Sequence, residues 1–286
     1  MKQSVISIQK AKNEGRRFTM VTAYDYSVAK LVDAAGIETI LVGDSLGNTM
    51  MGLGDTVSVT MEDMIHHSAC VARGVKAAMV VTDLPFMSYQ TGVRDALINA
   101  GRLMKEGRAD AVKLEGGEAM EETIRAIVGA GIPVCGHIGL TPQSFHTLGG
   151  YRVQGKDSDS GLRLIRDALA VERAGAFAVV LECVPAPLAA YVTSLLHIPT
   201  IGIGAGADCD AQVLVLQDML GMNTDFLPKF VKQFANLQET MTAAFTAYRN
   251  EVAEGSFPAV EHTYAMDEAV MDEIRRRFEA LHNDHL

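Results

Sequence analysis

Short apolar segments alternate with helix-forming stretches along most of this chain, and that alternation limits the folds it can adopt. Eight segments have the composition of buried strands: Phe18–Ala23, Thr39–Val42, Ala77–Thr82, Ala111–Leu114, Pro133–Ile138, Ala176–Leu181, Thr200–Ile203 and Val213–Gln217. Strands that alternate with helices are typical of a parallel sheet covered by helices. Eight such units favour a closed (β/α)8 barrel, or TIM barrel, over an open doubly wound sheet.

Composition and charge argue against several classes of partner. With 286 residues, of which 48% are hydrophobic, the chain can bury the core of one large domain. Its formal net charge of −10 disfavours a polyanionic partner such as nucleic acid. The sequence contains no apolar run of about 20 residues that could span a bilayer, no apolar core of a signal peptide and no CxxC pair. We therefore expect a cytoplasmic protein with reduced thiols that binds neither nucleic acid nor membranes.

Both ends of the chain are expected to be helical. Met1–Arg17 is polar and helix-like. Near the other end, apolar residues recur every three or four positions, at Met266, Val270, Ile274, Phe278 and Leu281. This spacing predicts an amphipathic helix whose apolar stripe packs on the barrel or on a neighbouring subunit. We therefore divide the chain into a single barrel domain, residues 1–262, and a C-terminal helical extension, residues 263–286.

Three acidic residues follow predicted strands that are neighbours in a barrel. Asp44, Asp83 and Glu115 come after the second, third and fourth strands. Because the carboxyl ends of parallel strands lie on one rim, we expect these carboxylates side by side. They would repel one another unless protonated or bridged by a cation, and Mg²⁺ prefers such oxygen ligands. The alternatives are a helix N-cap for Asp44 and a turn before Pro85 for Asp83.

Two further residues are predicted to point toward the same pocket. Lys113 and Glu115 are two positions apart on the fourth strand, so their side chains share a face. A lysine inside a barrel needs an anionic ligand or an acidic partner, and a fixed internal Lys–Glu pair is the alternative. His137 ends the fifth strand and is either a core hydrogen-bonding residue or a ligand contact.

Glu182 ends the sixth strand, immediately before Cys183-Val184-Pro185. A carboxylate at this rim suits a general base that removes a proton from a weakly acidic C–H bond. The alternatives are a fourth cation ligand and an ion-pair partner of Lys113. A long loop from Gly139 to Asp159 precedes this strand and is interpreted as a binding loop or lid.

Seven segments, in order along the chain, match the motifs of one enzyme family. They are Val42–Gly47, Asp83–Met87, Val112–Gly117, Val134–Gln143, Gly149–Tyr151, Leu181–Pro185 and Ile201–Gly206. Together they resemble the ketopantoate hydroxymethyltransferase (3-methyl-2-oxobutanoate hydroxymethyltransferase) family, over about Ile6 to His262. Members of that family often end soon after this region, whereas the chain continues to Leu286.

The resemblance implies a (β/α)8 barrel of the phosphoenolpyruvate/pyruvate type that forms a homodecamer and acts in the cytoplasm in pantothenate and coenzyme A synthesis. The residues that match the family's magnesium site are Asp44, Asp83 and Glu115. Those that match the family's contacts to the small-molecule keto acid are Asp44, Ser45, Asp83, Lys113 and His137. Glu182 matches the catalytic proton acceptor.

The resemblance also implies a reaction. A hydroxymethyl group passes from 5,10-methylenetetrahydrofolate to 3-methyl-2-oxobutanoate through an Mg²⁺-stabilised enolate, and the product is 2-dehydropantoate (ketopantoate). In this scheme Glu182 removes the C3 proton, and the enolate attacks the methylene carbon of the opened, iminium form of the folate.

Two other functions are consistent with a barrel of this kind. Lyases and mutases of the phosphoenolpyruvate/pyruvate group also use magnesium enolates of 2-oxo acids. Their Cys-Gly-His motif lies on a loop, however, whereas Cys135-Gly136-His137 lies in an apolar strand here. A non-enzymatic scaffold is the second possibility, but it would not need clustered rim acids together with Lys113.

Overall fold

The computed structural model describes residues 2–150, 152–223 and 227–283. The chain forms two compact units, Met1–Ala235 and Asn236–Leu286. Tyr151, from one of the matched segments, and residues 284–286 of the predicted extension lie outside the described residues. The sequence-based boundary after residue 262 stays a prediction.

Eight parallel strands close into a barrel in chain order, which confirms the predicted fold. The strands are β1 (Phe18–Thr22), β2 (Thr39–Val42), β3 (Met79–Asp83), β4 (Ala111–Glu115), β5 (Val134–Gly139), β6 (Ala178–Glu182), β7 (Thr200–Ile203) and β8 (Ala211–Leu214). Parallel pairing of β8 with β1 completes the closure. Every strand therefore presents its carboxyl end at the same rim of the barrel.

Helices follow most of the strands. The α-helices of the first unit are α1 (Val5–Asn13), α2 (Tyr26–Ala34), α3 (Leu46–Thr49), α4 (Met61–Gly74), α5 (Val93–Lys105), α6 (Glu121–Gly129), α7 (Phe145–Leu148), α8 (Ser158–Arg173), α9 (Ala186–Leu195) and α10 (Leu216–Met219). Local sequence explains where several of them begin. The α4 helix starts after Thr60, because Thr60 and Asp63 cap each other's backbone N–H groups in a capping box.

Two sets of buried apolar side chains hold the barrel together. Alternate strand residues point outward and pack against the surrounding helices, as Val21 and Ile40 do. The intervening residues fill the barrel interior, among them Met20, Val81 and Cys135. Helix α1 packs its buried face with this inner set, and so confirms the expected N-terminal helix.

Seven of the predicted strands agree closely with the observed ones, and the prediction is least accurate for the eighth. The ranges of β2 and β7 are identical to those predicted, and the ends of β1, β3, β4, β5 and β6 differ by one or two residues. The eighth strand was expected at Val213–Gln217 but spans Ala211–Leu214. The apolar run continues past the strand because Leu216 already begins α10.

The second unit consists mainly of two helices, α11 (Leu237–Glu254) and α12 (Glu268–Asn283). Asn236 caps the start of α11 by accepting a hydrogen bond from the Glu239 N–H, and Gly255 ends it with a left-handed φ of 72°. The second helix is the amphipathic helix expected near the C-terminus. Its apolar stripe is exposed, from Met266 to Leu281. The surface against which this stripe packs stays a prediction.

Candidate active site

The residues singled out in the sequence meet at the carboxyl ends of adjacent strands. Asp83 is the last residue of β3, Glu115 the last of β4 and Glu182 the last of β6. Asp44 lies two residues beyond β2, and Lys113 and His137 lie within β4 and β5. Five members of this group are buried: Asp44, Asp83, Lys113, Glu115 and His137. We call these five residues and Glu182 the rim cluster.

Lys113 forms its ion pair with the neighbouring strand. The register of β3 and β4 places Lys113 opposite Asp83, and Lys113 Nζ lies 3.1 Å from Asp83 Oδ1. The internal partner of this lysine is therefore Asp83, whereas the sequence alternatives named Glu115 and Glu182. Burial by itself would lower the pKa of Lys113, but the surrounding carboxylates, first that of Asp83, outweigh it and raise the pKa. Lys113 thus stays a cation.

Asp44 stands beside Asp83 in a strongly acidic environment. Its backbone N–H donates to Asp83 Oδ2 at 3.1 Å. Burial, followed by the charges of Asp83 and Glu115, raises the pKa of Asp44 to about 8. Burial also raises the pKa of Asp83, although Lys113 opposes that shift. The cluster therefore holds more negative charge than its own lysine and histidine can offset, so it favours an added proton or cation.

His137 lies between the two glutamates of the cluster. Its Nδ1 is 3.4 Å from Glu115 Oε1 and 3.2 Å from Lys113 Nζ, and its Nε2 is 3.2 Å from Glu182 Oε2. The Nε2 contact lacks hydrogen-bond geometry and is best described as an ionic contact. Burial and Lys113 lower the pKa of His137, but the two glutamates outweigh them and raise it to about 9. The imidazole is thus protonated near neutral pH.

The Ser45 hydroxyl is hydrogen-bonded to Tyr24, a residue that the sequence analysis did not identify. Tyr24, just beyond β1, is buried, and its hydroxyl lies 2.9 Å from Ser45 Oγ. Either hydroxyl can donate this hydrogen bond. Ser45 itself is half-buried, so its hydroxyl has access to a ligand at the rim. Burial raises the pKa of Tyr24, which therefore stays neutral and able to donate.

Gln143 and Tyr89 are two more polar residues of the site that sequence reasoning missed. Gln143 lies in the short 3-10 turn Pro142–Ser144 after β5, and its side chain donates to Asp44 Oδ2 at 2.8 Å. Tyr89 donates to Gln143 Oε1 at 2.7 Å. The one sequence signal for Gln143 was its position at the end of the matched segment Val134–Gln143, directly after the proline that starts the turn.

The donor set fits Mg²⁺ in its chemistry and charge. No group of three or more acidic, histidine or cysteine side chains within the described ranges is arranged around a common metal position. Mg²⁺, however, usually binds through one or two carboxylates, with water and substrate oxygens completing its octahedron. Asp83 Oδ1 is buried and makes no hydrogen bond with any described residue, although Lys113 lies close by. Asp44 and Asp83 are thus the best-placed protein ligands, and the roles of all three acids stay predictions.

The fold and this site define a (β/α)8-barrel protein with a buried cluster of acidic residues at its carboxyl rim. Among solved structures, a phosphoenolpyruvate phosphomutase from Streptomyces platensis subsp. rosaceus is similar in fold, with a TM-score of 0.60, 15% identity and 99% of each chain covered. None of the described helices is long and apolar enough to cross a membrane.

Sequence comparison identifies the family. The sequence model of ketopantoate hydroxymethyltransferase matches residues 2–260. The 3-methyl-2-oxobutanoate hydroxymethyltransferase of Clostridium novyi (strain NT) is 61% identical over 274 residues, which are 96% of this chain and 100% of that relative. The enzyme of the same name from Enterococcus faecalis (strain ATCC 700802 / V583) is 58% identical, with the same coverage. The chain belongs to the ketopantoate hydroxymethyltransferase family of enzymes, which confirms the resemblance.

The comparisons also bear on the end of the chain. The family model ends at residue 260, whereas the alignments with these two relatives span 274 residues and so include part of the segment 263–286. The expectation that members of the family often end soon after His262 stays a prediction.

Proposed function

We propose that the protein transfers a one-carbon unit from 5,10-methylenetetrahydrofolate to 3-methyl-2-oxobutanoate and forms 2-dehydropantoate. Family membership and the names of the relatives support the keto acid as acceptor. The atoms balance when one water enters the reaction: keto acid, methylene donor and water give 2-dehydropantoate and tetrahydrofolate. The water supplies the oxygen of the new hydroxymethyl group.

The observation that supports this reaction most strongly is the buried rim cluster, which combines carboxylates with a lysine and a histidine. The Lys113 ammonium has three N–H donors and lies against Asp83, whereas the protonated imidazole of His137 cannot accept from it, so N–H donors remain for the carboxylate of a bound keto acid. The Ser45 hydroxyl, held by Tyr24, is a second donor to the same ligand. These groups would fix the acid end of the substrate and orient its C3–H bond within the pocket.

Asp44 and Asp83, with Glu115 nearby, would hold Mg²⁺ in this pocket. The bound cation would supply Lewis-acid stabilisation of the negative charge that develops on the keto oxygen. The same carboxylates would keep the cation at the buried end of the pocket. A separate residue must then act as the general base that removes the C3 proton.

Glu182 is the base that this arrangement offers. Its side chain is 15% exposed, the most accessible of the cluster, so it is the member best placed to meet a ligand that enters from solvent. Its Oε2 atom lies beside His137, whose positive charge holds the carboxylate in place. The C3 proton would pass to Glu182, and the resulting carbon nucleophile would form the new C–C bond with the methylene carbon of the folate, whose two C–N bonds break while water supplies the hydroxyl oxygen. The segment that follows β5, which includes Gln143 and α7, would limit access of bulk water.

The wider setting follows from the family. We infer that the reaction serves pantothenate and hence coenzyme A synthesis in the cytoplasm, and that the protein acts as a homo-oligomer, a decamer. The exposed apolar stripe of α12 is a candidate contact surface in such an assembly.

Product formation from the two purified substrates tests the proposal. The wild type should form 2-dehydropantoate with Mg²⁺ present and lose this activity in excess chelator. Glu182→Gln should be slower by at least about a hundredfold, because it removes the general base. Glu118→Gln, a change at an exposed glutamate after β4, is the matched control and should behave as wild type. Undiminished turnover in chelator would reject the cation, and full activity of Glu182→Gln would reject the base.

A further inference from the structure

Gln143 is the polar residue that joins the acids of the rim cluster to one another. It is 5% exposed and makes hydrogen bonds to Asp44, which follows β2, and to Glu115, which ends β4. We propose that Gln143 is a positioning residue that fixes the orientation of these two carboxylates for a divalent cation. This inference rests on the proposed function, because a cation must bind there for the orientation to matter.

Every hydrogen-bonding position of the Gln143 amide is used. Its Nε2 group has two N–H bonds, which donate to Asp44 Oδ2 at 2.8 Å and to the Leu84 carbonyl at 2.9 Å. Its Oε1 atom accepts from the Tyr89 hydroxyl at 2.7 Å and from Gln90 Nε2 at 3.2 Å. Exchanging the amide oxygen and nitrogen would place the oxygen against Asp44 Oδ2 and the Leu84 carbonyl, and the nitrogen against Gln90 Nε2, so the network defines which atom faces Asp44.

The backbone of Gln143 acts on the second carboxylate. Its N–H donates to Glu115 Oε2 at 3.1 Å, while Glu115 Oε1 lies 3.4 Å from His137 Nδ1. Gln143 therefore holds one oxygen of Asp44 and one oxygen of Glu115. The Gln143 side chain thus engages one oxygen of Asp44, Oδ2, and makes no hydrogen bond to the other, Oδ1.

Tyr89 stabilises this arrangement through hydrogen bonds to Gln143 and Glu115. Its hydroxyl accepts a hydrogen bond from the Glu115 N–H at 3.1 Å, and its oxygen lies closer to Gln143 Oε1, at 2.7 Å, than to the Glu115 carbonyl oxygen, at 3.3 Å. Tyr89 thus fixes the amide from the side opposite to Asp44. The network links the loops that follow β2, β3 and β5 with the end of β4. Such outer partners orient the groups that bind a metal directly.

Substitution of Gln143 by methionine tests the proposal. Gln143→Met keeps the length of the side chain and the backbone hydrogen bond to Glu115, but it removes the donor to Asp44. We expect the Mg²⁺ affinity, measured by calorimetry without substrate, to fall roughly 10–100-fold. Raising the Mg²⁺ concentration should restore 2-dehydropantoate formation, which a general loss of structure would not allow. Gln9→Met is the matched control, since the Gln9 amide donates to Asn13 Oδ1 and the His197 carbonyl and to no residue of the rim cluster.

The outcomes separate this proposal from the one on which it rests. Wild-type Mg²⁺ affinity in Gln143→Met would overturn the positioning role alone. If wild-type protein does not bind Mg²⁺, the cation assignment fails and the positioning role fails with it. If Gln143→Met does not fold by circular dichroism, Tyr89→Phe replaces it, because that change removes the hydroxyl that orients the amide. Tyr89→Phe should also weaken Mg²⁺ binding, and an unchanged affinity would overturn the proposal.

Discussion

Lys113 Nζ lies 3.1 Å from Asp83 Oδ1, and the two side chains are only 5% and 3% exposed. The pair joins β3 to β4 at the rim, where the two residues are directly opposite in the strand register. Because neither charge can reach bulk water, each depends on the other for its stabilisation. The pair therefore contributes to the free energy of unfolding of the barrel, and it also belongs to the proposed substrate site.

Lys113→Met should leave Asp83 as an uncompensated buried acid. We expect the free energy of unfolding to fall by about 3–5 kcal/mol and keto-acid binding to be lost. Urea denaturation and calorimetric titration with the keto acid measure the two effects. Lys10→Met, at an exposed lysine paired with Glu14, should change stability by less than about 1 kcal/mol. Equal stability losses in the two variants would contradict the buried-pair account.

The raised pKa of Asp44 predicts a pH-dependent stability in the absence of metal. Because this pKa is about 8 in the folded protein, well above its ordinary value of 3.8, the folded state binds the Asp44 proton more tightly than the unfolded state does. Its contribution to stability is full below about pH 4 and is lost as the pH rises through 8. Asp44→Asn has no such proton, so in chelator its stability relative to wild type should rise between pH 4 and 8.

Denaturation curves for both proteins across this pH range provide the measurement. Asp44→Asn keeps an oxygen that can accept the hydrogen bond from Gln143, so the network around it need not collapse. Added Mg²⁺ should stabilise wild type and have little effect on the variant. A stability difference that does not vary with pH would show that Asp44 ionises normally.

His137 predicts a second pH effect, on rate. Its pKa of about 9 means that the imidazolium beside Glu182 persists through neutral pH and is lost above about 9. Wild-type activity at saturating Mg²⁺ should therefore decline above that pH. His137→Gln should be about a hundredfold slower, because Glu182 loses the charge that orients it, and its pH profile should lack this decline. A wild-type profile that stays flat well above pH 9 would contradict the assignment.

The barrel and its acidic rim could be predicted because both depend on features local to each strand. Asp83 and Glu115 end the apolar runs that form β3 and β4, so any closed parallel barrel places them on one rim. The eighth strand was misplaced because the apolar run 213–216 continues into α10, and composition alone does not distinguish the last residues of a strand from the first turn of a helix.

The hydrogen-bond network of the site could not be predicted in the same way. Gln143 is 99 positions from Asp44 in the sequence, and their contact depends on the path of the loop after β5. Tyr24 and Ser45 meet only because β1 and β2 are paired. Such contacts have no periodic pattern in the sequence, since they are set by loop geometry and not by the repeating strand and helix.

The central claim is that the rim cluster, with a bound divalent cation, makes the C3–H bond of the keto acid labile and that Glu182 takes the proton. Proton exchange at C3 tests it without the folate. In deuterated solvent with Mg²⁺, nuclear magnetic resonance should show the wild type replacing the C3 hydrogen of 3-methyl-2-oxobutanoate with deuterium, and Glu182→Gln doing so at least about a hundredfold more slowly. Exchange at equal rates in the two proteins, or at an undiminished rate in excess chelator, would contradict the account.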